Sequence, residues 1–262
     1  YVIAGDGCLM EGVSQEAISL AGRHELGKLI VFWDNNNITI DGTVDIADKT
    51  NQVARFKASG WQVIEIDGHD PEAIDLAIKV AQKSKNPSMI ACKTHIALGS
   101  SAQDTSEGHG ALTDPKLIED AKKTYGWTAR AFEISQDLKS AWETIGKRGI
   151  PERDAWAERL AGAPQNRQTE FKRVHSLEPA KKIKAVIRTF KKQISRTTPK
   201  VATRKSSEMA LNIINPIAPE TFGGSADLSG SNNTKSADMS VFDTGNRSGR
   251  YLHWGVREHG MA

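Results

Sequence analysis

A chain of 262 residues with 38% hydrophobic and 26% charged residues reads as a soluble globular protein, long enough for one large domain or two ordinary ones. No apolar run approaches the ~18 residues of a membrane helix, and a net charge of +3 is too small to suggest nucleic acid, so neither partner is expected. Two lone cysteines, Cys8 and Cys92, form neither a disulfide framework nor a metal motif, which favours a reducing cytoplasm.

The chain opens, without an initiator Met, on "YVIAGDGCLMEGVSQEA". Tyr1–Ala4 is a predicted strand, and Val13–Leu26 a helix closed by Gly27. Lys28–Trp33 and Trp61–Ile66 are further strands; Pro71–Ser84 is a helix opened by Asp70 and Pro71; Ser88–Lys93 is a fourth strand. Trp33, Trp61 and Trp127 read as core. Short apolar strands alternating with amphipathic helices predict an α/β fold, with parallel sheets flanked by helices. The stretch 94–112, "THIALGSSAQDTSEGHGAL", is too long and too rich in Gly and Ser for a simple connector, and such loops are usually functional or disordered.

Ser135–Lys200 is densely charged, with helical periodicity and few strand signals, and is read as a helical linker. Between Lys172 and Lys205 twelve Lys or Arg stand against one acid, Glu178. Pro179 suits a first helical turn, and Ile183, Val186, Ile187, Phe190 and Ile194 recur at helical spacing. The basic run is a solvated face or an attractor of anions, and the lack of interleaved aromatics argues against a single-strand nucleic-acid platform. From Val201 a second α/β pattern begins, with a helix through "SSEMALNII", then "ETFGGSADLSGSNNT" and a strand in "RYLHWG". The expected organisation is therefore 1–134, 135–200 and 201–262.

In open parallel sheets, ligands bind beyond the carboxyl ends of the strands. Asp6 lies just past the first strand and Asn36 just past the second, thirty residues on, about the length of a strand–helix–strand unit. A right-handed crossover should bring the two together. A carboxylate, an amide oxygen and a nearby main-chain carbonyl make a sparse all-oxygen set suited to Mg²⁺ or Ca²⁺ that shares its shell with phosphate. Gly5 and Gly7 would let the backbone approach that phosphate closely. Asp6 could also be an ordinary turn residue.

"GDG" followed by Asn-Asn about thirty residues later resembles the metal-diphosphate motif of thiamin-diphosphate enzymes. The stretch "GDGCLMEGVSQEA…GKLIVFWDNNNITIDG", with "DGHD", "KTHIALGS", "GHGAL", "ATRKSSE", "GGSADLSGSN" and "GVREHGM" in order, resembles the transketolase family. The resemblance implies Asp6, Asn36 and the carbonyl of Ile38 as metal ligands, with Gly5 and Gly7 by the diphosphate. It implies Glu258 as the acid bonded to the cofactor's aminopyrimidine, and Glu11 and Glu16 as acids between two cofactor sites at a dimer interface, Glu11 also touching cofactor. His109 is implied near the diphosphate and the substrate phosphate. Arg204 and Ser231 are implied as phosphate-binding groups, Asp227 as a neighbour of the cofactor and Leu228 as its apolar support. His95 departs from the family pattern, and Ala97 replaces a usual glycine.

The division then reads as the later part of a diphosphate- and metal-binding domain, the linker, and the beginning of a pyrimidine-binding domain. The implied activity is reversible transfer of a two-carbon ketol unit between phosphorylated sugars in the pentose phosphate pathway, by a cytoplasmic homodimer with sites at the subunit interface. Dihydroxyacetone synthase and deoxyxylulose-phosphate synthase are the alternatives. The chain is expected to be an internal fragment, inactive alone; a non-catalytic assembly piece is the reading from another class.

Overall fold

Short apolar-rich runs form a four-stranded, wholly parallel sheet in the order β1-β2-β4-β3: β1 (Val2–Gly5), β2 (Ile30–Asn35), β4 (Ser88–Lys93) and β3 (Gln62–Asp67). The computed structural model describes every residue except Leu112, Leu177, Pro179 and Lys181. The described residues fall into two units. One is Tyr1–Thr128 with Asp243–Gly245 and Trp254–Ala262; the other is Ala129–Phe242 with Asn246–His253.

In the first unit, helices cover both faces of the sheet. The short α1 (Asp6–Met10), α2 (Gly12–Arg23) and α3 (Gln52–Ala58) supply Leu9, Ile18, Ala21 and Phe56 to a core with Ala4, Val31, Trp33, Trp61, Met89 and Ala91. On the other face α4 (Pro71–Ala81) buries Ala77 and Ala81 against Ile30, Ile90 and Cys92. Full burial of an aliphatic side chain of this size contributes ~1.5–3 kcal/mol, so the doubly covered β4, with five successive buried residues, anchors the sheet. Asp70 starts α4 by accepting from the Glu72 and Ala73 amides, with Pro71 preset for the first turn. Asp114 and Pro115 start α5 (Pro115–Thr124) the same way.

Several details differ from the sequence reading. The helix expected over Val13–Leu26 and closed by Gly27 runs over Gly12–Arg23, and the left-handed residue after it is Glu25, at φ +47°. Gly27 is needed for space instead: a Cβ there would lie 2.6 Å from the Lys85 carbonyl oxygen. Trp33 and Trp61 are buried, but Trp127 is 41% exposed and is not core.

The second unit is mostly helical: α6 (Gln136–Lys147), α7 (Ile150–Ala161), α8 (Gln165–His175), α9 (Ile183–Thr197) and α10 (Thr203–Ile214). The expected helix start at Pro179 lies outside the described residues. Beyond α10 come β5 (Gly223–Ser225), α11 (Ser229–Asn232) and β6 (Tyr251–His253), the two strands pairing in parallel. Tyr251 is fully buried, its hydroxyl bonded to those of Ser229 and Thr234. Arg173 ties α8 to Glu220, whose carboxylate it meets with two guanidinium nitrogens at 3.0 and 3.1 Å, and it also pairs with Glu170. The last helix, α12 (Glu258–Met261), belongs to the first unit, where the Gly260 amide donates to the Glu16 carboxylate on α2 at 2.6 Å.

Candidate active site at the strand ends

The pairing register of β1 with β2 sets Gly5 opposite Asp34, so Asp6 and the turn after Asn35 leave the sheet at the same edge. There they line one cavity of about 840 Å³, shared with Ile38, His95 and His109. Parallel-sheet topology alone therefore unites residues thirty positions apart.

Asp6 is not a turn residue but the first residue of α1, and it is buried. Its Oδ1 accepts from the Trp33 indole nitrogen at 2.9 Å, and its Oδ2 from the Asn37 amide at 3.0 Å. Burial pushes the Asp6 carboxyl above its usual range; these two hydrogen bonds pull the other way, neighbouring Asp34 adds to the rise and Lys93 opposes it. A buried carboxylate with spare lone pairs on both oxygens, facing a cavity, is a group that a hard cation would stabilise.

Asn36 points its Oδ1 at the Ile38 amide, 3.0 Å away, while its Nδ2 donates to Asp34 Oδ2 at 3.3 Å. Asp34 in turn accepts from the Thr94 hydroxyl. The amide oxygen of Asn36 is thereby assigned and held on the same wall as Asp6. Neither Gly5 nor Gly7 has a positive φ, and a Cβ at either would meet nothing within 4 Å. The space beside their backbone opens into the cavity. All-oxygen donors with room for a close backbone approach fit a divalent cation carrying a phosphate group.

The far wall comes from the loop after β4. His109 ends a single 3₁₀ turn, Ser106–His109, and is exposed on the cavity. Gly108 approaches the Ala97 Cβ and the Ala102 carbonyl so closely that a Cβ would lie 2.8 Å from each.

The remaining expected residues stand elsewhere in the first unit or in the second. Glu11 is exposed at the junction of α1 and α2, and Glu16 is bonded to the Gly260 amide, two residues beyond Glu258. Glu258 itself starts α12 in an exposed position. In the second unit, Arg204 is in the first turn of α10; Asp227, at φ +65°, precedes the 54% exposed Leu228; Ser231 is exposed in α11. Trp33 is the residue that sequence reasoning missed, because an indole in an apolar strand reads as packing and its donor shows only once β1 and β2 are in register.

Comparison with known proteins agrees over the whole length. Residues 1–179 match the family model described as transketolase, thiamine diphosphate binding domain, and residues 199–262 that described as transketolase, pyrimidine binding domain. A transketolase of Rhodobacter capsulatus is 52% identical over 263 aligned residues, covering 100% of this chain and 39% of that protein. One of Cereibacter sphaeroides is 47% identical, with 100% and 40% coverage. A crystal structure of Pichia stipitis transketolase with sedoheptulose 7-phosphate superposes at TM-score 0.90 with 37% identity, covering 100% of this chain and 40% of that one. The chain thus spans about 40% of the length of the relatives it matches.

Proposed function

This chain belongs to the transketolase family, and from that premise we propose that the full-length protein transfers a two-carbon ketol unit from a ketose phosphate to an aldose phosphate. The alternatives, dihydroxyacetone synthase and deoxyxylulose-phosphate synthase, are not favoured by relatives that are transketolases at 40–52% identity. The observation that carries the reading is the convergence of Asp6, Asn36 and Ile38 on one cavity beside two open glycines.

In this reading Asp6, Asn36 and the Ile38 carbonyl would hold Mg²⁺ or Ca²⁺, and Gly5 and Gly7 would leave room beside them for the diphosphate of thiamin diphosphate. Bound thiamin diphosphate supplies a nucleophilic carbon that ordinary side chains lack. Glu258 shares a proton with a nitrogen of the cofactor's pyrimidine ring, work that requires it to be covered from water. Glu11 and Glu16 lie between the two sites of a homodimer, with Glu11 near cofactor. His109 binds near the diphosphate and a substrate phosphate, Arg204 and Ser231 hold the sugar phosphate, and Asp227 and Leu228 support the cofactor. Arg suits phosphate through its planar fork of donors.

The division proposed is a diphosphate-binding part over 1–134, a helical linker over 135–200 and a pyrimidine-binding part from 201. Among the described residues no helix is long and apolar enough to cross a membrane, and a cytoplasmic place in the pentose phosphate pathway is part of the same proposal. A coupled assay of the full-length protein over a panel of ketose donors and aldose acceptors tests it. Metal- and thiamin-diphosphate-dependent ketol transfer is expected; turnover without thiamin diphosphate would overturn it.

A further inference from the structure

The loop that carries His109 also carries a side-chain pair to which the reading above gives no work. His95 Nδ1 lies 2.9 and 2.8 Å from the two carboxylate oxygens of Asp104, nine residues along the same loop. Burial acts to raise the Asp104 carboxyl, and the hydrogen bonds from His95 and Gln103 outweigh it, holding the group below the usual carboxylate range. Asp104 is therefore an anion near neutral pH, and Nδ1 of His95 must carry the proton between them.

The opposite side is fixed as well. The main-chain amide of His95 donates to Nε2 of His69 at 2.9 Å, which makes that nitrogen an acceptor and places the proton of His69 on its Nδ1. The two imidazoles stack at 5.7 Å with an interplanar angle of 11°. His95 thus spends its amide and one ring face on His69 and its Nδ1 on Asp104. What it has left is Nε2, for which no described residue supplies a partner, on a ring that lines the cavity with Asp6, Asn36 and His109.

A carboxylate behind an imidazole fixes its orientation, here turning Nε2 away from Asp104, and an imidazolium held in that way donates from Nε2–H to an anion. The same cavity is lined by Asp6, Asp34 and Asp41, which repel a free anion until a cation is bound. A donor on the Gly-rich side completes the charge balance around a phosphate that the metal holds. We propose that His95, oriented by Asp104 and His69, is a phosphate-binding group of this cavity, donating from Nε2 to an anionic phosphate oxygen. The inference rests on the proposed cofactor reading. Two sources share that chemistry, the cofactor's diphosphate and the phosphate of the sugar.

Full-length protein carrying His95→Phe, His95→Gln or Asp104→Asn separates the sources. Calorimetry with Mg²⁺ and either inorganic pyrophosphate or thiamin diphosphate reads the first; KM for phosphorylated against non-phosphorylated ketose donors reads the second. A charged hydrogen bond of this kind corresponds to about a tenfold loss or more. If the cofactor is the source, His95→Phe weakens both diphosphate ligands about tenfold and Asp104→Asn weakens them less. If the sugar is the source, cofactor affinity holds while KM rises about tenfold for phosphorylated donors alone, at constant kcat. In either case His95→Gln, which keeps one N–H donor, recovers part of the loss; a merely structural loop residue would instead affect both donor classes equally. Unchanged pyrophosphate affinity together with unchanged KM in His95→Phe overturns the inference, as does an equal loss for both donor classes in Phe and Gln variants alike. Failure of the parental protein to bind thiamin diphosphate overturns the proposed function instead, and the pyrophosphate arm still decides the role of His95.

Discussion

The strand-end cavity and the residues of the second unit differ in how their side chains are held. Around the cavity three candidates are fixed by neighbours: Asp6 by Trp33 and Asn37, Asn36 by Ile38 and Asp34, His95 by Asp104 and His69. In the second unit Arg204, Asp227, Leu228 and Ser231 are exposed, and their side chains make no hydrogen bond among the described residues. Glu258, in the first unit, is exposed like them. The proposed metal and diphosphate site would thus draw on side chains that are already held in place. The proposed proton transfer at Glu258 and the proposed apolar support by Leu228 would need both residues covered from water, and both are exposed here.

The strongest challenge to that contrast is the 262-residue chain alone. Tyr1, just before the edge strand β1, and Val2 and Ile3 on it are 71%, 44% and 81% exposed, and an apolar unpaired edge invites association. We expect poor solubility, weak thiamin diphosphate binding and no ketol transfer in a coupled assay. Substantial turnover would show that Glu258 and Leu228 work as exposed residues.

Next in size are the two carboxylates, one from each side of the comparison. In the full-length protein Asp6→Ala removes the one charged ligand of the proposed metal and should weaken metal-dependent cofactor binding more than ~100-fold, beyond the range for outer-shell residues. Asp6→Asn keeps an oxygen and should cost less. Calorimetry with Mg²⁺ and thiamin diphosphate decides, and an unaltered affinity in the alanine variant removes Asp6 from the site. Glu258→Gln should leave cofactor binding intact while slowing exchange of the cofactor's C2 proton at least ~100-fold. NMR exchange at the parental rate would assign Glu258 another part.

Arg204→Ala is a smaller effect on the second unit's side. It should raise KM for phosphorylated sugars roughly tenfold to a hundredfold, the equivalent of a charged hydrogen bond of ~1.5–3 kcal/mol. Non-phosphorylated donors should be nearly untouched; equal losses would mean a structural role on α10.

The same contrast separates what could be read in the sequence from what could not. The strands were legible because β2 and β4 are continuous apolar runs buried on both faces, and α4 because Asp70 and Pro71 mark its start. Asp6 and Asn36 were legible because parallel topology converts a thirty-residue spacing into proximity. The helix α1 was not: five residues beginning "DGC" are too few to carry a helical period, although Leu9 packs into the core. The His95–Asp104 pair was equally hidden. It requires Asp104 at φ +59°, a conformation that Asp adopts more readily than most residues but that no pattern announces.

The smallest predicted effect concerns Trp33, which belongs to both the core and the site. Trp33→Phe keeps an aromatic ring against Ala4 and Met89 but removes the indole donor, leaving Asp6 Oδ1 buried without it. An unsatisfied buried acceptor costs ~1–3 kcal/mol, so the metal-free protein should lose stability. The sign of the pH dependence follows from the carboxyl. Burial already places its folded-state pKa above the unfolded value, so the folded form binds more protons across the window between them, and stability falls as pH rises through it. Removing the donor raises that pKa further and widens the window upward. Mg²⁺, which favours the ionised form, should recover part of the loss. Metal affinity should fall about tenfold, the lower end for outer-shell partners of a ligand. Thermal melts of the full-length protein from pH 4 to 8, with and without Mg²⁺, read both effects. A uniform drop in melting temperature, independent of pH and of Mg²⁺, would make Trp33 a packing residue only and leave Asp6 positioned by the Asn37 amide.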